Sequence, residues 1–163
     1  MTLPAGIRVA WCEVPVGAER RATSRAVLAD LLPGARFASR CPSCGGDHGR
    51  VHVEGADAVV SVSYVEGWAV GAAASGYERI GVDAVRHDAG DLERVLSGAA
   101  DARAWARVEA VLKADGRGLA VDPARVDVRE AASGWEARID GGAPYRGWDL
   151  AGPAGVVLAL AVL

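Results

Sequence analysis

The chain has 163 residues, of which 51% are hydrophobic, and it carries a formal net charge of −3 at pH 7. This length and apolar content suffice for one domain, or for two compact lobes that share a core. The slightly negative charge provides no global basic field, so we do not expect nucleic acid as a partner.

The N-terminal segment lacks a charged region followed by an apolar stretch and a small-residue cleavage site, so we predict a cytoplasmic protein. The longest apolar run, Val156–Leu163, is much shorter than the roughly 18 residues of a membrane helix, and we expect no membrane partner. The three cysteines favour free thiols or a metal site over a disulfide framework.

The first half of the chain predicts a strand, a helix and several short strands. Alternation predicts a strand over Ile7–Trp11, and an apolar stripe that ends at Pro33 predicts a helix over Ala18–Leu32. Gly, Cys and Pro predict a loop over Phe37–Arg50. Runs rich in valine and alanine predict the strands Val51–Val53, Ala58–Ser63, Trp68–Ala74 and Arg79–Ala84.

Three arginines, Arg20, Arg21 and Arg25, crowd the first turns of the predicted N-terminal helix. Cations are disfavoured at a helix N-terminus because they face the positive end of the helix dipole. The pattern therefore leaves two interpretations open, a solvated helix face or an anion site.

The second half predicts two helices, Asp88–Ser97 and Asp101–Asp115, and then four strands. The strands are expected near Arg125–Arg129, Trp135–Ile139, Tyr145–Leu150 and Gly155–Leu163. The order predicts an α+β fold, in which one α+β unit could be used twice.

The helix Asp101–Asp115 carries the most informative pattern. Trp105, Val108 and Leu112 form an apolar stripe, and Glu109 and Lys113 lie beside it, at the border between core and solvent. An ordinary i, i+4 surface pair would give the same spacing.

Asp83 follows Ile80, Gly81 and Val82 at the end of an apolar strand, where a carboxylate can project into a cleft and bind Mg²⁺. The alternative is plain turn chemistry, since strands often end in Asp.

These segments resemble the 4′-phosphopantetheinyl transferase family, specifically its larger monomeric, surfactin-synthetase-activating type. Gly81-Val82-Asp83 matches the family's G-[IV]-D. Trp105–Leu119 keeps the Trp, the Glu, the second Lys and both Gly of W-x-x-K-E-x-x-x-K-x-x-G-x-G-L. Upstream, the arginine-bearing helix, the C-x-x-C-G-x-x-H-G-[RK] loop Cys41–Arg50 and the S-x-S sequence at Ser61 also match.

The resemblance implies a fold of two similar α/β lobes, residues 1–78 and 79–163, related by a pseudo-two-fold axis. It implies a monomer with coenzyme A in the cleft between the lobes. The implied activity transfers 4′-phosphopantetheine from coenzyme A to a serine of an acyl or peptidyl carrier protein and releases 3′,5′-ADP.

The same resemblance implies roles for particular residues. Asp83 and Glu109 would hold Mg²⁺, and Glu109 and Lys113 would act in catalysis. Those implied for coenzyme A binding are Arg21, Gly49, Arg50 and Ser61. We expect Asp83→Ala and Glu109→Ala to abolish transfer with the fold retained, because both carboxylates should face the cleft.

Three valines depart from the family pattern. Val62 replaces a histidine, Val85 a second acidic residue and Val108 a lysine. Each removes a polar group, so a non-catalytic relative that binds coenzyme A or a carrier protein is the alternative. In a weakened enzyme, Val62→His or Val108→Lys would be expected to raise activity.

The cysteine loop permits a third interpretation, a zinc-organised interaction protein. Cys41 and Cys44 could bind zinc with His48 and His52. The short spacing and the lack of a second C-x-x-C favour a nucleotide-facing loop with incidental thiols.

Overall fold

The computed structural model describes residues 3–41, 44–46, 49–88 and 101–163. In the first half, the elements are β1 (Ile7–Glu13), α1 (Arg20–Leu31), β2 (Arg36–Ser39), β3 (Val51–Glu54), β4 (Val59–Val65) and β5 (Trp68–Ala74). In the second half, they are β6 (Ile80–Arg86), α2 (Ala102–Asp115), β7 (Val126–Ala131), β8 (Gly134–Ile139), β9 (Tyr145–Ala151) and β10 (Val156–Val162).

The fold is mixed α+β, and its sheets are built from antiparallel pairs. One sheet has the order β1-β5-β4, a second has the order β6-β10-β9-β8-β7, and β2 pairs with β3 alone. No helix among the described residues is both long and apolar enough to cross a membrane.

Three apolar clusters fill the spaces between the layers. Helix α1 packs on β4 and β5 through Leu28 and Val60, and the opposite face of β5 packs on β6 and β10 through Val70, Val82 and Leu160. Helix α2 covers the other face of the five-stranded sheet through the third cluster. The layers therefore run from α1 through two sheets to α2.

The two halves share one order of elements. Each runs strand, helix, hairpin and two strands, and in each the first strand pairs with the last, which pairs with the one before it. They differ at one place. Strands β8 and β9 are joined by a backbone ladder, whereas β3 and β4 belong to separate sheets.

Most predicted elements are confirmed within two residues, including the strand Trp68–Ala74, whose bounds agree fully. The loop predicted over Phe37–Arg50 was wrong at its start, because Arg36–Ser39 forms a strand. That short strand is held by its pairing with β3 and not by its own sequence pattern. The predicted helix Asp88–Ser97 lies, apart from Asp88, outside the described residues.

Gly81 sets how closely α2 approaches β6. A Cβ at this position would stand 2.0 Å from the carbonyl oxygen of Ala110 and 2.5 Å from the nitrogen of Ala114. Because side chains alternate along a strand, Gly81 and Asp83 lie on the same face of β6, towards α2. The missing side chain therefore brings the helix close to the carboxylate.

We predict that Gly81→Ala lowers the free energy of unfolding by about 3 kcal/mol or more, because overpacking against a helix backbone cannot relax through a rotamer change. Urea denaturation measures the loss. Gly17→Ala is the control. Gly17 has φ +80°, and a Cβ there would meet nothing within 4 Å, so backbone strain alone should lower the free energy of unfolding by about 1 kcal/mol. Equal losses in the two variants would contradict the close packing.

Candidate active site

Two serines of β4 join the halves at the free edge of β6. The N–H of Val82 donates to Ser61 Oγ at 3.0 Å, and the N–H of Ala84 donates to Ser63 Oγ at 3.2 Å. Buried N–H groups need partners, and here hydroxyls replace a strand ladder. The S-x-S sequence therefore fixes β6 and its carboxylate against β4.

Asp83 lies at the centre of a buried polar cluster. Its Oδ1 accepts from Lys113 Nζ at 2.6 Å and from Ser63 Oγ at 3.0 Å. The ammonium group also donates to Ser63 Oγ at 2.9 Å and to the carbonyl of Val82 at 3.2 Å. The Asp83 side chain is only 9% exposed, whereas that of Lys113 is 31% exposed. The charge of Asp83 is thus held behind a lysine that reaches solvent.

Glu109 lies one helical turn before Lys113 and is half-buried. Burial raises the pKa of the Glu109 carboxyl, and the negative charge of Asp83 raises it further, while Lys113 opposes both effects. Lys113 forms its ion pair with Asp83, and its charge also acts on Glu109. The excess negative charge suits a cation.

A pocket of about 250 Å³ opens beside this cluster. Its lining includes Gly49, Arg50, Ser61 and Lys113, which the family resemblance implied from three separate segments. Valine and leucine side chains supply apolar surface in the same lining. Ser61 uses its oxygen to accept from β6, and among the described residues its O–H has no acceptor, so it can donate to a ligand. The pocket thus combines apolar walls with a few polar groups, as ligand sites do.

Arg50 supplies an uncompensated positive charge to this pocket. Its Nη1 donates to the carbonyl of Ala114 at 3.2 Å, and no described carboxylate forms an ion pair with it. Burial lowers the pKa of Arg50, the charge of Arg79 lowers it further, and Asp115 and Tyr145 oppose this. A desolvated guanidinium without an anion favours an anionic ligand.

The structure does not bring Arg21 to this pocket. It lies exposed at the start of α1, outside the residues that line the pocket. Its neighbour Arg20 stacks over the ring of Tyr64 at 5.0 Å, and Arg25 bonds Ser39. Arg20 and Arg25 therefore make separate contacts and do not form a single anion site with Arg21.

Of the three departures from the family pattern, only Val62 lines the pocket. Val108 is 5% exposed and belongs to the cluster under α2, and Val85 packs against the same cluster. A lysine at position 108 would enter the apolar core, and its effect on activity stays a prediction. The cleft-facing position expected for Asp83 is wrong, since it is buried.

The cysteine loop is described in part. The N–H of Gly46 donates to Cys44 Sγ at 3.4 Å, and Cys41 exchanges backbone bonds with Gly45 and Gly46. Within the described part of the chain, no group of three or more His, Cys, Asp or Glu residues could hold a metal. His48, one ligand of the alternative zinc interpretation, lies outside the described residues, so that alternative stays untested.

The site also includes residues that the sequence did not single out. Ser63 bonds both charged members of the cluster, and Arg79 bonds the end of α2. The S-x-S sequence was a signal for Ser63, but it could not show which serine meets the carboxylate. Arg79 carried no signal, because a lone arginine before a strand is common.

The residues present suit Mg²⁺. No described residue is bonded to Asp83 Oδ2. Burial and the negative charge of Asp83 both disfavour the ionised form of Glu109, which raises its pKa. Two protein carboxylates are few for a closed metal cage, but Mg²⁺ commonly takes one or two and completes its shell with water and substrate phosphates. Asp83 and Glu109 would hold the ion behind the pocket wall, next to Lys113.

No family model and no curated protein matches this chain. The geometry above and the motif resemblance therefore carry the assignment of function.

We predict that Glu109→Gln stabilises the metal-free protein at pH 7. The raised pKa means that the folded protein binds the Glu109 proton more tightly than the unfolded chain does. Stability is therefore lost as pH rises from the unfolded to the folded pKa, and the glutamine variant escapes that loss. Thermal unfolding across acidic and neutral pH checks this. A lower Tm for the variant at pH 7 would contradict the geometry.

We predict that Lys113→Met lowers the free energy of unfolding by about 3 kcal/mol, because Asp83 is left buried without a cation. The double variant Lys113→Met with Asp83→Asn should recover part of that loss, since the remaining amide is neutral. Denaturant titration compares the two. A double variant that is no more stable than the single one would show that the pair is not coupled.

Proposed function

We propose that this protein is a Mg²⁺-dependent 4′-phosphopantetheinyl transferase, which moves phosphopantetheine from coenzyme A to a carrier-protein serine. The observation that carries the proposal is the Lys113–Asp83 pair at a pocket wall that also presents Arg50. Two cations beside two carboxylates suit a diphosphate and a divalent ion together.

The convergence of separate motifs supports the proposal. Gly49 and Arg50 follow the cysteine loop, Ser61 lies in β4, Asp83 in β6 and Lys113 in α2. The family resemblance implied that these residues share one site, and in the fold they lie in or directly behind one pocket. Arg21 is the exception.

The shared order of the two halves also supports it. The proposed fold is two related lobes, residues 1–78 and 79–163, about a pseudo-two-fold axis. The pocket lining mixes residues of β4 with residues of α2, as a cleft between the lobes requires.

The chain's own groups suggest how transfer proceeds. Arg50 and Lys113 would bind the diphosphate, and Ser61 would donate a hydrogen bond to the same ligand. The carrier serine attacks the phosphorus that bears the pantetheine arm, the new P–O bond forms, and the P–O bond to the nucleotide breaks, with its electron pair leaving on 3′,5′-ADP. Glu109 would accept the serine proton, the catalytic role that the resemblance implies for it. Mg²⁺ bound at the carboxylates would offset charge on the leaving group.

A non-catalytic relative that binds coenzyme A is the second candidate. Val62 favours it, because this apolar side chain occupies the pocket wall where the resemblance leads us to expect a histidine. The binding groups would be the same, and only turnover would differ.

Intact mass spectrometry tests the proposal directly. The protein is incubated with coenzyme A, Mg²⁺ and a panel of apo carrier proteins, and we expect a phosphopantetheine adduct on at least one. Glu109→Gln should reduce its rate about 100-fold or more, in the range for losing a general base. The exposed Arg129→Gln, in β7, should leave the rate unchanged.

Binding of coenzyme A without an adduct on any carrier would support the non-catalytic candidate instead. Absence of both binding and transfer would contradict both.

A further inference from the structure

Two serines of β4 meet β6, and they differ in what else they contact. Ser61 and Ser63 lie on the same face of β4, because side chains alternate along a strand, and each accepts a hydrogen bond from a backbone N–H of β6. Ser63, which is 3% exposed, also bonds Asp83 and Lys113, whereas Ser61 bonds neither of them. The two serines therefore share one structural role, and Ser63 has a second.

The hydrogen bonds around Ser63 fix the direction of its own proton. A serine hydroxyl has one hydrogen to donate and two lone pairs with which to accept. Lys113 Nζ at 2.9 Å and the N–H of Ala84 at 3.2 Å can only donate, so they take both lone pairs. The hydroxyl hydrogen must then point to Asp83 Oδ1, which lies 3.0 Å away.

The Asp83 carboxylate is thereby held through one of its two oxygens. Oδ1 accepts from both Ser63 and Lys113, and among the described residues no donor is bonded to Oδ2. Rotation of the carboxylate would break two hydrogen bonds in a buried place, where lost bonds are costly. Oδ2 is therefore the oxygen that stays available to the cation that Asp83 and Glu109 would share.

We infer that Ser63 is a positioning residue of the metal site, which commits Oδ1 of Asp83 to the protein and presents Oδ2 to the divalent cation. Ser63 would orient the metal ligand without touching the ion. Loss of a residue that orients a metal ligand typically weakens metal affinity about 10- to 100-fold. The inference rests on the proposed function, which assigns Asp83 to Mg²⁺, and deepens it by naming the side chain that aims this ligand.

Titration of the full chain with Mn²⁺, followed by the electron paramagnetic resonance signal of the free ion, tests the inference without turnover. Mn²⁺ prefers the same oxygen ligands as Mg²⁺. We expect Ser63→Ala to bind Mn²⁺ about tenfold or more weakly than the wild-type protein. Ser61→Ala is the matched control, because it loses the corresponding bond to β6 but no bond to Asp83, and it should keep the wild-type Mn²⁺ affinity.

Ser63→Cys guards against a folding defect in the alanine variant. The thiol fills a similar buried space, but it is a weak donor and a weak acceptor. This variant should therefore keep the fold and still lose Mn²⁺ affinity. Circular dichroism and thermal unfolding establish that each variant is folded at the temperature of the titration.

Wild-type Mn²⁺ affinity in folded Ser63→Ala or Ser63→Cys would overturn the positioning role and leave the proposed function standing. Equal losses in Ser61→Ala and Ser63→Ala would also overturn it, because both serines would then act only by anchoring β6. If the wild-type chain binds no Mn²⁺, the inference falls together with the metal assignment, and the adduct assay decides separately whether the chain transfers phosphopantetheine.

Discussion

The close contact between α2 and β6 is the constraint on which the candidate site depends. Gly81 leaves room for the helix backbone, and Asp83 on the same strand face then meets Lys113 at 2.6 Å. Ser63 bonds both charged groups, and Oδ1 of the buried carboxylate accepts from both Ser63 and Lys113. A buried ion pair contributes little net stability, but it strongly resists rearrangement when both members are hydrogen-bonded. The same contact fixes where the carboxylates and the ammonium group lie.

The two halves differ at the place where the candidate pocket lies. In the second half the hairpin β7-β8 continues the sheet through β9. In the first half the hairpin β2-β3 and β4 belong to separate sheets, and the candidate pocket opens beside this split. Arg50 follows directly from the cysteine loop into β3, so it enters the split from its edge. The two halves share one order of elements, and the candidate pocket lies where β3 and β4 do not pair.

The sequence predicted the elements well because their patterns are local. The apolar stripe and the glycine stop of α2 define its length, and its N-cap Asp101 accepts from the N–H of Ala104 as such a start requires. Strand β2 escaped prediction because it exists only by pairing with β3. The grouping of Arg50, Ser61 and Lys113 followed from the motif resemblance, since no local pattern places three distant segments together.

The sequence did not predict how deeply individual side chains of the site are buried. Glu109 and Val108 are neighbours on α2, yet one borders the site and the other enters the core, and the i, i+4 spacing alone permitted a plain surface pair. Asp83 was expected to face a cleft as a strand-end carboxylate, but the face of β6 on which it lies is covered by α2. The contact of Arg79 with the end of α2 is likewise visible only in the fold.

The most direct measurement is the effect of Mg²⁺ on coenzyme A affinity, by calorimetry in the presence of Mg²⁺ and then of a chelator. If the two carboxylates and the pocket cations act on one ligand, Mg²⁺ should tighten coenzyme A binding by about tenfold or more, within the usual range of coupling energies. Asp83→Asn should remove most of that coupling. Equal affinity with and without the metal would show that the carboxylates and the pocket do not form one site.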